Sequence, residues 1–188
     1  MRMSEEQLAD YRDRIAWHGE ARSDRATLEE LVKLHTRTIA FENIDRFTDT
    51  LIDLSLDAVV AKLVRGKRGG VCYEQAGLFR DVLETVGFKV SGLMARVKWN
   101  VPEGRVNGRT HMALQVDLAE GPVIVDVGFG GQTLTGVLDL VADVEQPTPH
   151  GSLPAGPRSG SLATGSAGAR EMATDLCLRP SAAVADRL

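Results

Sequence analysis

The stretch His111-Met112-Ala113-Leu114-Gln115-Val116-Asp117-Leu118 decides how this chain is read. Met112, Leu114, Val116 and Leu118 alternate strictly with His111, Ala113, Gln115 and Asp117. A period of two is that of a β-strand, whose successive side chains point to opposite faces. Outward from it, Glu120-Gly121-Pro122 reads as a turn. Residues 123–127 read as a second strand, with Val123, Val125 and Val127 on its apolar face and Asp126 opposite them. On the other side, the β-branched and apolar segment 89–99 reads as a strand, separated by the turn-prone segment 102–108.

Before residue 88 the period is helical. Ser4 and Gln7 make a capping box ahead of Leu8, Tyr11 and Ile15, and Thr27 with Glu30 repeats the signature before Leu28, Leu31, Val32 and His35. Ser55 is placed to cap a third helix bearing Leu56, Val59, Val60, Leu63 and Val64. A turn at Arg68-Gly69-Gly70 leads into a fourth, where Phe79, Val82, Leu83 and Val86 share a face and Gly87 ends the run. Helices first and antiparallel strands after give an α+β class, not a doubly wound sheet.

The 188 residues are 43% hydrophobic and 26% charged with a net charge of −4, which fits a globular protein and gives no basic footprint for nucleic acid. No apolar run reaches the roughly 18 residues of a membrane helix. The first residues are charged and lack the apolar core of a secretory signal, so a cytoplasmic protein with reduced thiols is expected. Composition changes at Gly151: all nine aromatic residues precede it, and 21 of the 38 residues from there on are Gly, Ala, Ser or Pro. The chain therefore divides into 1–87, helical; 88–150, strands; and 151–188, a low-complexity tail and candidate for disorder, linker-like over 151–168 with room for a short helix in 171–186.

Cys72, His111 and Asp126 stand out chemically. A cysteine nucleophile needs thiolate character, and Cys72 lies where a helix begins just after Arg68, a setting that favours an anion. A histidine takes the thiol proton and a carboxylate fixes that histidine in one tautomer. An even-length hairpin loop places His111 and Asp126 on one sheet face. Contact between them depends on register: directly opposite they touch, and a slip of two residues separates them. The histidines His18, His35, His111 and His150 are scattered without metal-ligand spacing, so no metal is expected. Lys62, Arg65, Lys67 and Arg68 read as a solvated helix end.

The words around these residues are specific. Arg68-Gly69-Gly70-Val71-Cys72-Tyr73-Glu74 resembles the nucleophile motif of the arylamine N-acetyltransferase family. Thr110-His111-Met112-Ala113-Leu114 resembles its histidine strand, and Val125-Asp126-Val127-Gly128-Phe129-Gly130-Gly131 its aspartate motif. Ile39-Ala40-Phe41-Glu42-Asn43-Ile44-Asp45 is similar to its inter-helix segment, and 146–151 is also family-like. The resemblance runs from about Leu8 to Gly151.

It implies a helical bundle followed by an antiparallel β-barrel-like domain around a cysteine-protease-like Cys-His-Asp core. It also implies ping-pong acetyl transfer from acetyl-CoA, as co-substrate, to the nitrogen of arylamines or hydrazines, the chemistry of xenobiotic metabolism. By the same resemblance Cys72 is the nucleophile, His111 the proton carrier and Asp126 its orienting group. Phe41, Tyr73, Val97, Thr110 and Phe129 line the acceptor site, and Gly128, Gly130 and Gly131 approach CoA. Arg68 and Glu74 brace the site.

Two departures accompany the match. Ala76 stands where the family motif carries Asn, which removes a hydrogen-bonding side chain beside the site. The match fades after Gly151, so the barrel is expected to be partial and the family's third, lid-forming domain missing. Open strand edges of a partial barrel invite association between copies. Alternative readings are a macrolactam-forming amide synthase of the same superfamily, a papain- or transglutaminase-like hydrolase, and a non-catalytic truncated remnant.

Overall fold

The computed structural model describes residues 2–97, 101–102, 105–131, 133–141, 144 and 146–148, together with the strand backbones at 151–153, 161–164, 174–177 and 179–180. Five helical segments come first: α1 (Glu5–Ile15), α2 (Arg25–Thr38), α3 (Ile44–Phe47), α4 (Leu56–Val59) and α5 (Cys72–Val86). The strands follow: β1 (Lys89–Ala95), β2 (His111–Leu118), β3 (Gly121–Val125), β4 (Leu138–Asp139), β5 (Gln146–Thr148), β6 (Gly151–Leu153), β7 (Ser161–Thr164), β8 (Thr174–Cys177) and β9 (Arg179–Pro180). The α+β order is as the periodicities predict.

Local chemistry sets the helix ends. The Ser4–Gln7 capping box is formed in both directions. Helix α2 begins earlier than Thr27: its N-cap is Asp24, whose carboxylate accepts from the Thr27 amide at 2.9 Å. Asp is as good a cap as Thr, and starting there adds a turn of hydrogen bonds. Ser55 stands at the N-cap of α4 but makes no side-chain cap bond. That helix runs on as a π-helix over Val60–Arg65. Gly87 closes α5 at φ 115°, a conformation that favours glycine.

One antiparallel sheet has the order β4-β3-β2-β1-β9, and β5-β6 and β7-β8 form separate pairs. The hairpin turn lies one residue earlier than expected. Leu118 pairs with Gly121, so Ala119-Glu120 is the two-residue turn and Pro122 lies within β3. Gly121 takes φ 135°, which lets the tight connection close. Strand β3 also stops at Val125, leaving Asp126 and Val127 just beyond it, and β1 stops at Ala95 rather than continuing to residue 99. The short helix expected in 171–186 is not formed where that segment is described. Backbones 174–177 and 179–180 are strands, paired with β7 and with the edge of β1, where ladder hydrogen bonds outweigh a weak helical preference.

The apolar face of the sheet, Met112, Leu114, Val116, Val123 and Val125, packs with Tyr11, Trp17, Leu28, Leu31, Phe79 and Leu83 from the helices in one core. Each such fully buried large side chain contributes about 1.5–3 kcal/mol. Leu93, Ile124, Leu134 and Leu138 form a smaller cluster on the other face. Arg25 ties α2 to the sheet through Glu120 and Asp139. Among the described residues no helix is long and apolar enough to cross a membrane.

Candidate active site

Cys72 is the first residue of α5, partly buried, with Sγ 3.7 Å from the Thr110 carbonyl. The helix starts here for a local reason. Glu74 reaches back to accept from the Val71 amide at 2.9 Å, satisfying a donor that the first turn leaves free.

His111 opens β2, nearly buried at 3% exposure. Its Nε2 lies 2.6 Å from Asp126 Oδ2. Continuing the β2–β3 register beyond Leu114–Val125 puts Ala113, not His111, opposite Asp126. The pair therefore sits on a diagonal two residues apart. It closes because Asp126 has left the ladder, and the Gly128 amide holds its other oxygen at 3.1 Å. Burial pulls the His111 pKa down. The charge and hydrogen bond of Asp126, and then the hydrogen bond and charge of Cys72, more than reverse this and hold it up at about 10. Phe129 meets His111 edge-to-face, centroids 5.2 Å apart.

The glycines of the following turn are there for room. A β-carbon on Gly128 would sit 2.9 Å from the Cys72 Cα, and one on Gly130 would sit 2.6 Å from the Phe41 ring; Gly131 faces open space. Phe41 bridges to Gly70, with the Gly70 amide donating to Ala40 and the Glu42 amide to Gly70. The structure so joins Cys72, Thr110, His111, Asp126, Gly128 and Phe129, and stacks Phe41 on Gly130. Tyr73 is half-buried with its hydroxyl donating to Met94 Sδ at 3.3 Å, and burial followed by the Cys72 charge raises its pKa. Val97 is half-buried, its carbonyl accepting from the Asn107 side chain.

Two sets of residues escaped the sequence reading. Lys62 is no solvated cation: it lies 2.6 Å from Glu74, 2.8 Å from Asp45 and 4.0 Å from Glu42. Arg68 binds Glu42 and Asp45 at 2.6 and 2.7 Å, and Arg65 binds Asp10 at 2.7 Å. Arg68 and Glu74 do brace the site, with Lys62 as the link between them. The second set is Gln75, His35 and Tyr11, buried behind Cys72. No spacing rule signals a buried polar chain drawn from three helices.

Fold and site define a class: a helix-borne cysteine set against a sheet-borne histidine and a carboxylate just past the next strand. The N-acetyltransferase family model matches residues 24–164, past the point where the sequence words fade. An arylamine N-acetyltransferase of Escherichia coli K12 is 45% identical over 144 residues, covering 77% of this chain and 51% of that protein. One from Mycolicibacterium smegmatis is 44% identical, covering 76% and 54%. The solved arylamine N-acetyltransferase of M. tuberculosis superimposes with a TM-score of 0.85 at 36% identity, covering 93% of this chain and 65% of that one. The Mycobacterium marinum enzyme in complex with CoA gives 0.84 at 36%, covering 92% and 66%. This chain belongs to the arylamine N-acetyltransferase family. It spans about half the length of the curated relatives it matches.

Proposed function

We propose that the chain carries the acyl-transfer centre for moving an acetyl group from acetyl-CoA to the nitrogen of an arylamine or arylhydrazine. The observation that carries this reading is the 2.6 Å His111–Asp126 bond, with Cys72 also acting on His111. In the first half, the Cys72 thiolate attacks the thioester carbonyl. The tetrahedral intermediate collapses, the carbon–sulfur bond to CoA breaks, and the CoA sulfur leaves with the proton His111 holds. In the second half, the amine attacks the acetyl-Cys72 carbonyl, His111 takes the amine proton, and the cysteine sulfur departs. Asp126 keeps His111 in one orientation and stabilises its cationic form. Backbone amides near Cys72 are the candidates for stabilising the developing oxyanion. Phe41, Thr110 and Phe129, with Tyr73 and Val97, form the acceptor side. Gly131, in open space beyond Gly128 and Gly130, marks the side from which CoA approaches.

The test is intact-protein mass spectrometry after brief incubation with acetyl-CoA, beside Cys72→Ala. One acetyl group on the parent and none on the variant is the expected result, followed by discharge on adding an arylamine. Folded parent that takes up no acetyl group overturns the reading and leaves a non-catalytic relative.

A further inference from the structure

Three fully buried polar side chains lie behind the nucleophile and take no part in the transfer chemistry: Tyr11 on α1, His35 on α2 and Gln75 on α5. They form a continuous hydrogen-bonded chain. Tyr11 Oη is 2.9 Å from His35 Nδ1, and His35 Nε2 is 2.7 Å from Gln75 Oε1. Gln75 Nε2 donates to the carbonyls of Ile39 at 3.3 Å and Ala40 at 2.9 Å. The last link fixes the sense of the others. Two carbonyls require the amide nitrogen, so the amide oxygen faces His35. His35 then carries its proton on Nε2, and Nδ1 accepts from the Tyr11 hydroxyl. Every donor points toward the backbone of residues 39–40.

Packing alone does not call for this chain, because apolar side chains of similar shape fill such a core at little cost or none. Its significance lies in where it ends. The Ala40 carbonyl that receives the Gln75 amide also accepts from Gly70 at 3.2 Å, and the Glu42 amide donates to Gly70 at 3.1 Å. The backbone on either side of Phe41 is therefore held, at Ala40 by Gln75 and Gly70 and at Glu42 by Gly70, the turn that leads into Cys72. At its other end, Gln75 Cβ lies 3.1 Å from where a β-carbon on Gly128 would stand. This one side chain, three positions after Cys72, touches segments 39–45 and 125–131, and through the shared Ala40 carbonyl it is linked to segment 68–74.

We propose that Gln75 is a positioning residue that sets the Phe41 wall of the acceptor site against Cys72, with His35 and Tyr11 holding its amide in the required sense. The proposal rests on the acyl-transfer reading above. It predicts an asymmetric effect on the two half-reactions. Cys72, His111 and Asp126 are placed by the α5 cap and the β2–β3 hairpin, whereas Phe41 depends on the backbone that Gln75 holds.

Gln75→Leu keeps a side chain against Gly128 and removes the amide. The double variant His35→Leu/Gln75→Leu also removes the imidazole left without a partner. Both are expected to load from acetyl-CoA at close to the parent rate and to show an acceptor KM raised about tenfold, the scale of one or two lost hydrogen bonds. The double variant is expected to regain melting temperature but not acceptor KM. Recovery of both together, or loading slowed as much as the acceptor step, overturns the proposal and reduces the chain to a structural element. Amide hydrogen exchange gives a readout free of activity. Exchange at Gly70 and Glu42 is expected to be about tenfold faster in Gln75→Leu, with the β2 ladder unchanged. Unchanged exchange at Gly70 and Glu42 overturns the proposal whether or not the parent loads. A parent that fails to load while the variant shows the altered exchange counts against acetyl transfer alone.

Discussion

Gly128 lies so close to Cys72 that a β-carbon there would stand 2.9 Å from the Cys72 Cα and 3.2 Å from its carbonyl oxygen. The turn after Asp126 and the start of α5 thus share one tight contact, and the same glycine's amide holds Asp126 at 3.1 Å. The backbone on one side and the carboxylate on the other are located by a single residue.

Gly128→Ala is expected to force these elements apart. Overpacking of this kind costs about 1–3 kcal/mol, so a lower urea midpoint is expected, with acetyl loading slowed more than stability alone explains. Parent-like loading and stability together would show that the contact relaxes without consequence.

Asp126→Asn removes the charge that holds His111 up at about 10. Burial, which pulls the His111 pKa down, then acts with less opposition. NMR titration of His111 is expected to show a marked fall, and acetyl loading to slow with it. An unchanged His111 titration would separate Asp126 from the ion pair.

Alkaline stability follows from the same shift. The folded pKa of about 10 lies above the ordinary 6.5, so this contribution is full below about pH 6.5 and is lost as pH rises through 10. Urea unfolding of the parent and of His111→Gln across that range is expected to show a stability difference that shrinks toward pH 10.

Acid stability is set elsewhere, at His35. Burial first, opposed by the Gln75 hydrogen bond and joined by the Arg14 charge, holds its pKa down at about 4. Between pH 6.5 and 4 the unfolded chain binds the proton that the folded one refuses. Stability falls through this window as pH drops and levels off below it. His35→Gln is expected to lose that slope, as measured by unfolding between pH 7 and 4.

Lys62→Met is expected to destabilise the fold by about 3–5 kcal/mol, the usual result of leaving a buried carboxylate unpaired. Glu74 is 2% exposed at its side chain and its partner sits at 2.6 Å. The double variant Lys62→Met/Glu74→Gln is expected to recover part of the loss in a thermal melt.

Sequence pattern alone carries the α+β class, the four main helical stretches, strand β2 to the residue, and the candidate set Cys72, His111 and Asp126. These were legible because periodicity, caps and glycine turns act over a few residues, and because the motif words are local. Even so, the α2 start and the β2–β3 turn differ from the sequence expectation, because two caps or two turn residues compete within a few positions. The diagonal His111–Asp126 register emerges from the folded chain, since strand alternation fixes a face but not an offset along the ladder. The folded chain also places Lys62 among three carboxylates and joins Gln75, His35 and Tyr11 behind Cys72. Such partners come from different helices, and what selects them is the packing of those helices against one another, which no single stretch of sequence encodes.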